Sequence, residues 1–144
     1  MYGAGPMYIG CGSGILSIAC AKLGYTEINS CDIDADAVLS SEVNFKNNGV
    51  SISCKKDDFI NSYSEYIDKQ GYQLILANIL YDPLVEMFPH FELIKGSKDQ
   101  HLILSGVLDE QVDDLILVGK ESNYILVKHY SKKGWSSLLF KHKS

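Results

Sequence analysis

The sequence contains no arginine; all thirteen of its basic residues are lysine. Arginine supplies the planar fork that grips phosphates and guanine edges, so its absence argues against direct nucleic-acid binding. The net charge of −5 points the same way. No acid follows Glu121, whereas Lys128, Lys132, Lys133, Lys141 and Lys143 do. Lysines placed like this suit the solvated edge of a sheet, with a docking patch for an acidic partner as the alternative. The four cysteines, Cys11, Cys20, Cys31 and Cys54, form no C-x-x-C pair. Three lie in apolar runs, and all read as small buried residues in a reducing compartment. His90, His101, His129 and His142 share no ligand spacing, so no metal site is expected. Apolar runs stop far short of the ~18 residues of a membrane span, and no leader segment is visible. A cytoplasmic protein without a membrane partner is expected.

What is present suits a globular fold. With 46% hydrophobic and 22% charged residues, the 144-residue chain can bury a core without disulfides or metal. Short strand-like segments alternate with helical ones. Met7 to Gly10 reads as a strand and Ile15 to Leu23 as a helix stopped by Gly24. Glu27 to Cys31 is a second strand, and Asp34 can cap a helix running to about Asn48. Ser51 to Lys55 is a third strand, with helical or irregular chain from Phe59 to Lys69. Tyr72 to Ala77 is apolar throughout, as in a strand buried on both faces. Pro83 suits the first turn of a helix reaching about Lys95. A strand from His101 to Ser105 and a helix from Asp109 to Glu121 follow. Tyr124 to Tyr130 and Trp135 to His142 close the chain as two strands with no helix between them. This alternation predicts an α/β fold with a mostly parallel sheet, helices on both faces and an antiparallel C-terminal hairpin. Ligands of such sheets bind at the carboxyl ends of the strands, where the strand order reverses.

Four segments carry candidate chemistry. Gly10, Gly12 and Gly14 alternate between a strand and a helix, where glycine allows a sharp turn and a close ligand. The dinucleotide fingerprint would need glycine at Ile15, so a pyrophosphate is disfavoured. Asp32 ends the second strand, where a carboxylate can accept both hydroxyls of a ribose. The alternative role, a turn or cap, fits Asp34 better. Asp58 and Phe59 follow the third strand, where an acid can meet an adenine amino group and a ring can cover its face; a solvated loop is the alternative. Asn78 ends the apolar fourth strand. Its amide oxygen can accept a hydrogen bond from an attacking amine and aim the lone pair at a methyl group, or it can cap the next helix.

Gly10-Cys11-Gly12-Ser13-Gly14-Ile15-Leu16, Asp32-Ile33-Asp34, Asn78-Ile79-Leu80, Asp82-Pro83-Leu84 and Ser105-Gly106-Val107-Leu108 together resemble the catalytic domain of the bacterial ribosomal-protein methyltransferase family PrmA. The resemblance covers the chain from about residue 6 onward. It implies a Rossmann-like, class I methyltransferase that uses S-adenosyl-L-methionine to methylate lysine or α-amino nitrogens of a large-subunit ribosomal protein. By position, Gly10, Gly12 and Gly14 would cradle the methionine portion and Asp32 would hold the ribose. Asp58 and Phe59 would lie near the adenine, and Asn78 would face the transferred methyl. Residues 1–144 would then be a single catalytic domain, truncated at its N-terminus and without the family's substrate-recognition domain. One departure is Tyr8, where the family carries an aspartate that helps organise the cofactor's amino-acid end. Two alternatives accompany this reading: a methyltransferase acting on another protein or a small amine, and a degenerate fold that binds cofactor weakly or not at all.

Overall fold

The computed structural model describes residues 5–63, 71–94 and 99–143. Its sheet holds seven strands: β1 (Met7–Ile9), β2 (Asn29–Asp32), β3 (Ser53–Lys56), β4 (Leu74–Asn78), β5 (His101–Leu108), β6 (Tyr124–Lys132) and β7 (Trp135–His142). Between them lie α1 (Ile15–Lys22), α2 (Ala35–Asn47), α3 (Phe59–Ser62), α4 (Tyr81–Leu93) and α5 (Val112–Glu121), the last preceded by a 3-10 turn at Asp109–Gln111. The order across the sheet is β3-β2-β1-β4-β5-β7-β6, with β1 to β5 parallel and β7 antiparallel to both its neighbours. The expected hairpin is present, but β7 inserts between β5 and β6, so the lysine-bearing β6 forms the sheet edge. No described helix is long and apolar enough to cross a membrane.

The pleat divides the core. Met7 and Ile9 of β1, Ile75 and Ala77 of β4, and Leu102 and Leu104 of β5 pack with Leu84, Phe88 and Phe91 of α4. Tyr8 and Leu76, on the alternate positions, face the other layer with Cys20 of α1 and Phe45 of α2. Period-two side-chain alternation in strands covered on both faces requires this division. Asp34 caps α2 as its sequence position implied, its Oδ1 accepting from the Asp36 N–H at 2.9 Å.

Several boundaries shift from expectation. β2 and β3 each begin two residues later and end one residue later, so Asp32 belongs to β2 itself. β4 starts at Leu74, two residues after the start of the apolar run. β5 continues three residues past Ser105, through a register shift at Gly106, and so carries pairing to β7 across the whole strand. Of the helical or irregular chain expected from Phe59 to Lys69, Phe59–Ser62 is helical and the remainder lies mostly outside the described residues. The expected end of the following helix, near Lys95, lies outside them as well.

Candidate functional site

Strand order reverses between β1 and β4, the arrangement that opens a crevice at their carboxyl ends. A cleft of about 710 Å³ lies there, lined by Ile9, Gly10 and Gly12 from the glycine loop and by Asp32, Ile33 and Asp34 from the second turn. Asp57, Asp58, Phe59 and Ile60 line it from the third loop, and Asn78, Ile79, Asp82, Glu86 and Met87 from β4 and α4. Six expected site residues are therefore brought together: Gly10, Gly12, Asp32, Asp58, Phe59 and Asn78.

Gly14 is not among the lining residues. It turns into α1 with φ 81°, and a β-carbon there would stand 2.7 Å from Phe45 Cε1. Its small size lets the loop seat on α2. Gly12, by contrast, has nothing within 4 Å of its would-be β-carbon, leaving open space at the cleft wall.

Asp32 ties this wall together. Its Oδ2 accepts from the Gly12 N–H at 3.0 Å and its Oδ1 from the Asp34 N–H at 2.9 Å. Two bonds leave further lone pairs on a carboxylate. Asp58 accepts from the Asn61 side chain, and Ser62 Oγ donates to Asp57 Oδ1 at 2.6 Å. Phe59 reaches the cleft but is 2% exposed, packed against Phe91 and edge-on to His90. Little of its surface is left open to the cleft, where the sequence suggested a covering face.

Asn78 does not cap α4. The cap position is Leu80, with no side-chain cap bond. Asn78 instead stands at the boundary of the cleft and a second pocket of about 670 Å³, which it lines with Ser105, Gly106, Ser137, Tyr130, Lys132, Lys133 and Trp135. Gly106 makes that placement possible. At φ +90°, a β-carbon there would meet Asn78 Oδ1 at 2.9 Å and the Ile79 carbonyl oxygen at 2.7 Å. The sequence signal for Gly106 is a lone glycine inside a strand, which marks a bulge or a close approach.

Tyr8 lies outside both cavities. It is buried in the α1–α2 layer, and burial foremost, then the neighbouring Cys11 and Asp32, push its phenol up to about 12. Tyr8 therefore does not intrude on the cleft.

The cleft's composition tests what it can hold. Among the described residues, its lining includes Asp32, Asp34, Asp57, Asp58, Asp82 and Glu86 and no lysine. Such a lining repels a pyrophosphate and suits ribose hydroxyls and a sulfonium cation. A seven-stranded sheet of this order, with the acid-lined cleft at its switch point, defines the class I S-adenosylmethionine-dependent methyltransferase fold. The family model for Ribosomal protein L11 methyltransferase (PrmA) matches residues 6–143. The chain belongs to that family. It is 36% identical over 137 residues to the ribosomal protein L11 methyltransferase of Campylobacter fetus, covering 94% of this chain and 46% of that protein. With the enzyme of the same name from Hydrogenovibrio crunogenus it shares 35% over 133 residues, covering 91% and 42%. The chain thus spans less than half the length of these relatives. The crystal structure of ribosomal protein L11 methylase from Lactobacillus delbrueckii superposes with a TM-score of 0.88 at 26% identity, covering all of this chain and 72% of that one. Magnesium protoporphyrin IX methyltransferase from Synechocystis with bound SAH shares the fold, with a TM-score of 0.74 at 14% identity over 98% of this chain and 74% of that one.

Proposed function

We propose that residues 1–144 form the catalytic domain of an S-adenosylmethionine-dependent protein N-methyltransferase that acts in the cytoplasm on a lysine or α-amino nitrogen of a large-subunit ribosomal protein. The observation that carries this reading is the position of Asn78, which faces an acid-lined cleft on one side and an open pocket on the other.

When bound, S-adenosylmethionine supplies an electrophilic methyl on a sulfonium. The chain's own residues position it. Gly10 and Gly12 leave room for the methionine portion, with Gly14 holding their loop against α2. Asp32 accepts the ribose hydroxyls, and Asp58 and Phe59 border the adenine end. Asn78 accepts a hydrogen bond from the incoming amine and aims its lone pair across the wall. The acceptor side is the pocket walled by Tyr130 and Trp135, whose rings are suited to an aliphatic stem and its ammonium. A lysine at pKa about 10.4 must first lose a proton, which costs about 4–5 kcal/mol at pH 7 without help from the site. We assign Asn78 as orienter and name no base.

Calorimetric titration with S-adenosylhomocysteine tests the reading. Micromolar binding that Asp32→Ala abolishes is expected. No heat at millimolar ligand would sink it.

A further inference from the structure

A contact between two cysteines lies beneath the glycine loop. Cys11 Sγ and Cys54 Sγ are 2.6 Å apart, closer than two sulfurs in ordinary van der Waals contact. Cys11 sits between Gly10 and Gly12, while Cys54 lies on β3 at the sheet edge, so the contact spans β2. Cys11 Sγ is also 3.1 Å from Ser41 Oγ, which donates to the Gly12 carbonyl at 2.7 Å. The thiol pair therefore belongs to the network that shapes the loop. A movement of about half an ångström would bring the sulfurs to the disulfide length of about 2.05 Å.

We propose that Cys11 and Cys54 are a redox-active pair that a hydroperoxide converts to a disulfide, pinning the glycine loop to β3. Cys54 is the attacking sulfur. It keeps 7% of its surface exposed against 1% for Cys11. Hydrogen bonding, foremost from Cys11, holds its thiol below the ordinary range, while Cys11 is pushed up by that same bond and by burial. In the first step the Cys54 thiolate displaces hydroxide from hydrogen peroxide and becomes a sulfenic acid, with water as co-product once a proton is taken up. In the second, Cys11 sulfur attacks the sulfenic sulfur and releases a second water. Two thiols and one peroxide give one disulfide and two waters. A reducing compartment would reverse the bond by thiol exchange, the behaviour of a sensor and not of a structural staple.

Treating the whole chain with hydrogen peroxide, then alkylating and mapping peptides, tests the pair. The expected product has lost two hydrogens, joins the Cys11 and Cys54 peptides, and leaves Cys20 and Cys31 to be alkylated after unfolding. A thiol reductant restores the original mass. The melting temperature should rise by several degrees on oxidation, because the bond closes a long loop of the unfolded chain. Cys54→Ser and Cys11→Ser should each abolish the crosslink. A disulfide joining other cysteines, or oxidation to sulfinate without a crosslink, would overturn the proposal. The link to the site rests on the cofactor reading above. On that reading, S-adenosylhomocysteine should bind the oxidised protein about fivefold more weakly or worse. Equal affinity in the two states overturns the link, whereas failure of the reduced protein to bind at all counts against the cofactor reading and leaves the crosslink result standing.

Discussion

The Gly12 N–H donates to Asp32 Oδ2 at 3.0 Å, so one carboxylate joins the loop after β1 to the end of β2. Its other oxygen accepts from the Asp34 N–H. Asp32→Ala removes both anchors along with the proposed ribose acceptor. Hydrogen bonds to a charged group contribute about 1.5–3 kcal/mol each, so two lost ribose contacts weaken S-adenosylhomocysteine binding by about 100-fold or more. Asp32→Asn keeps one acceptor oxygen and should fall between the two. Calorimetric dissociation constants for the three proteins check this order; equal values for wild type and Asp32→Ala would remove Asp32 from the site.

Gly10 and Gly12 answer differently to alanine. Both have positive φ, at 73° and 53°, so either substitution pays about 1–2 kcal/mol of backbone strain. At Gly10 the new methyl would also meet Ile79 Cγ2 at 2.5 Å, whereas at Gly12 it would project into open space. Gly10→Ala should therefore lower thermal stability more than Gly12→Ala. Gly12→Ala should fold and lose S-adenosylhomocysteine affinity, because its methyl occupies ligand space. Paired melting curves and titrations decide. A Gly12→Ala protein that binds normally would show that the loop does not approach the ligand.

Gly106→Ala probes the acceptor side. Its methyl would press on Asn78 Oδ1 and on the backbone carbonyl of Ile79, and backbone cannot swing aside. A displacement of about 1 Å at a positioning group can cost about 100-fold in rate. The expected result is a large loss of methyl transfer to the proposed acceptor with a much smaller loss of S-adenosylhomocysteine affinity, since neither Asp32 nor Gly12 lies against Gly106. Parallel loss of both would mean that Gly106 serves the fold and has no selective hold on Asn78.

Tyr8→Asp would place at that position the acid that the resemblance implies. Tyr8 is 3% exposed among Cys20, Phe45 and Leu76, so the new carboxylate would be buried in an apolar layer. Burying an unpaired charge belongs to the severe class of substitutions, and a loss of about 3 kcal/mol or more is expected. Urea denaturation measures it. Unchanged stability together with tighter S-adenosylhomocysteine binding would show that the acid finds the cleft after all.

Much of this was legible because the glycine loop, Asp32 and Asn78 each end a strand whose apolar run is visible in the sequence. Hydrophobic periodicity marks strand ends, and the ends of parallel strands are where a site forms. What stayed hidden depends on pairing across the sheet. The position of β7 between β5 and β6 is a long-range choice that no local pattern encodes. The Cys11–Cys54 contact joins residues 43 apart in the chain, across an intervening strand. Gly14 looks like Gly10 and Gly12 in sequence and differs only in what lies beside it, which is the Phe45 ring. Phe59 lines the cleft, and its burial against Phe91 follows from the α3–α4 packing and not from its neighbours in the chain.

Asp109 gives the hairpin a pH dependence. Its carboxylate accepts from Ser136 Oγ and, at 2.7 Å, from Ser131 Oγ, and its N–H donates to the Gly134 carbonyl at 3.0 Å. These bonds hold the β6–β7 turn, and with it Trp135, beside the acceptor pocket. The two serine bonds, Ser136 foremost, lower the Asp109 pKa from 3.8 in the folded state. A depressed folded value means that the fold binds the proton less well than the unfolded chain. The contribution is therefore fully present above about pH 3.8 and is lost as pH falls through the folded value. Asp109→Asn should melt at a lower temperature than wild type at neutral pH, and the gap should close below that window, where wild-type Asp109 is itself protonated. Melting temperatures of the two proteins from neutral to strongly acidic pH check this. A gap that stays constant across the series would mean that the charge on Asp109 adds nothing to its hydrogen bonds with the two serines.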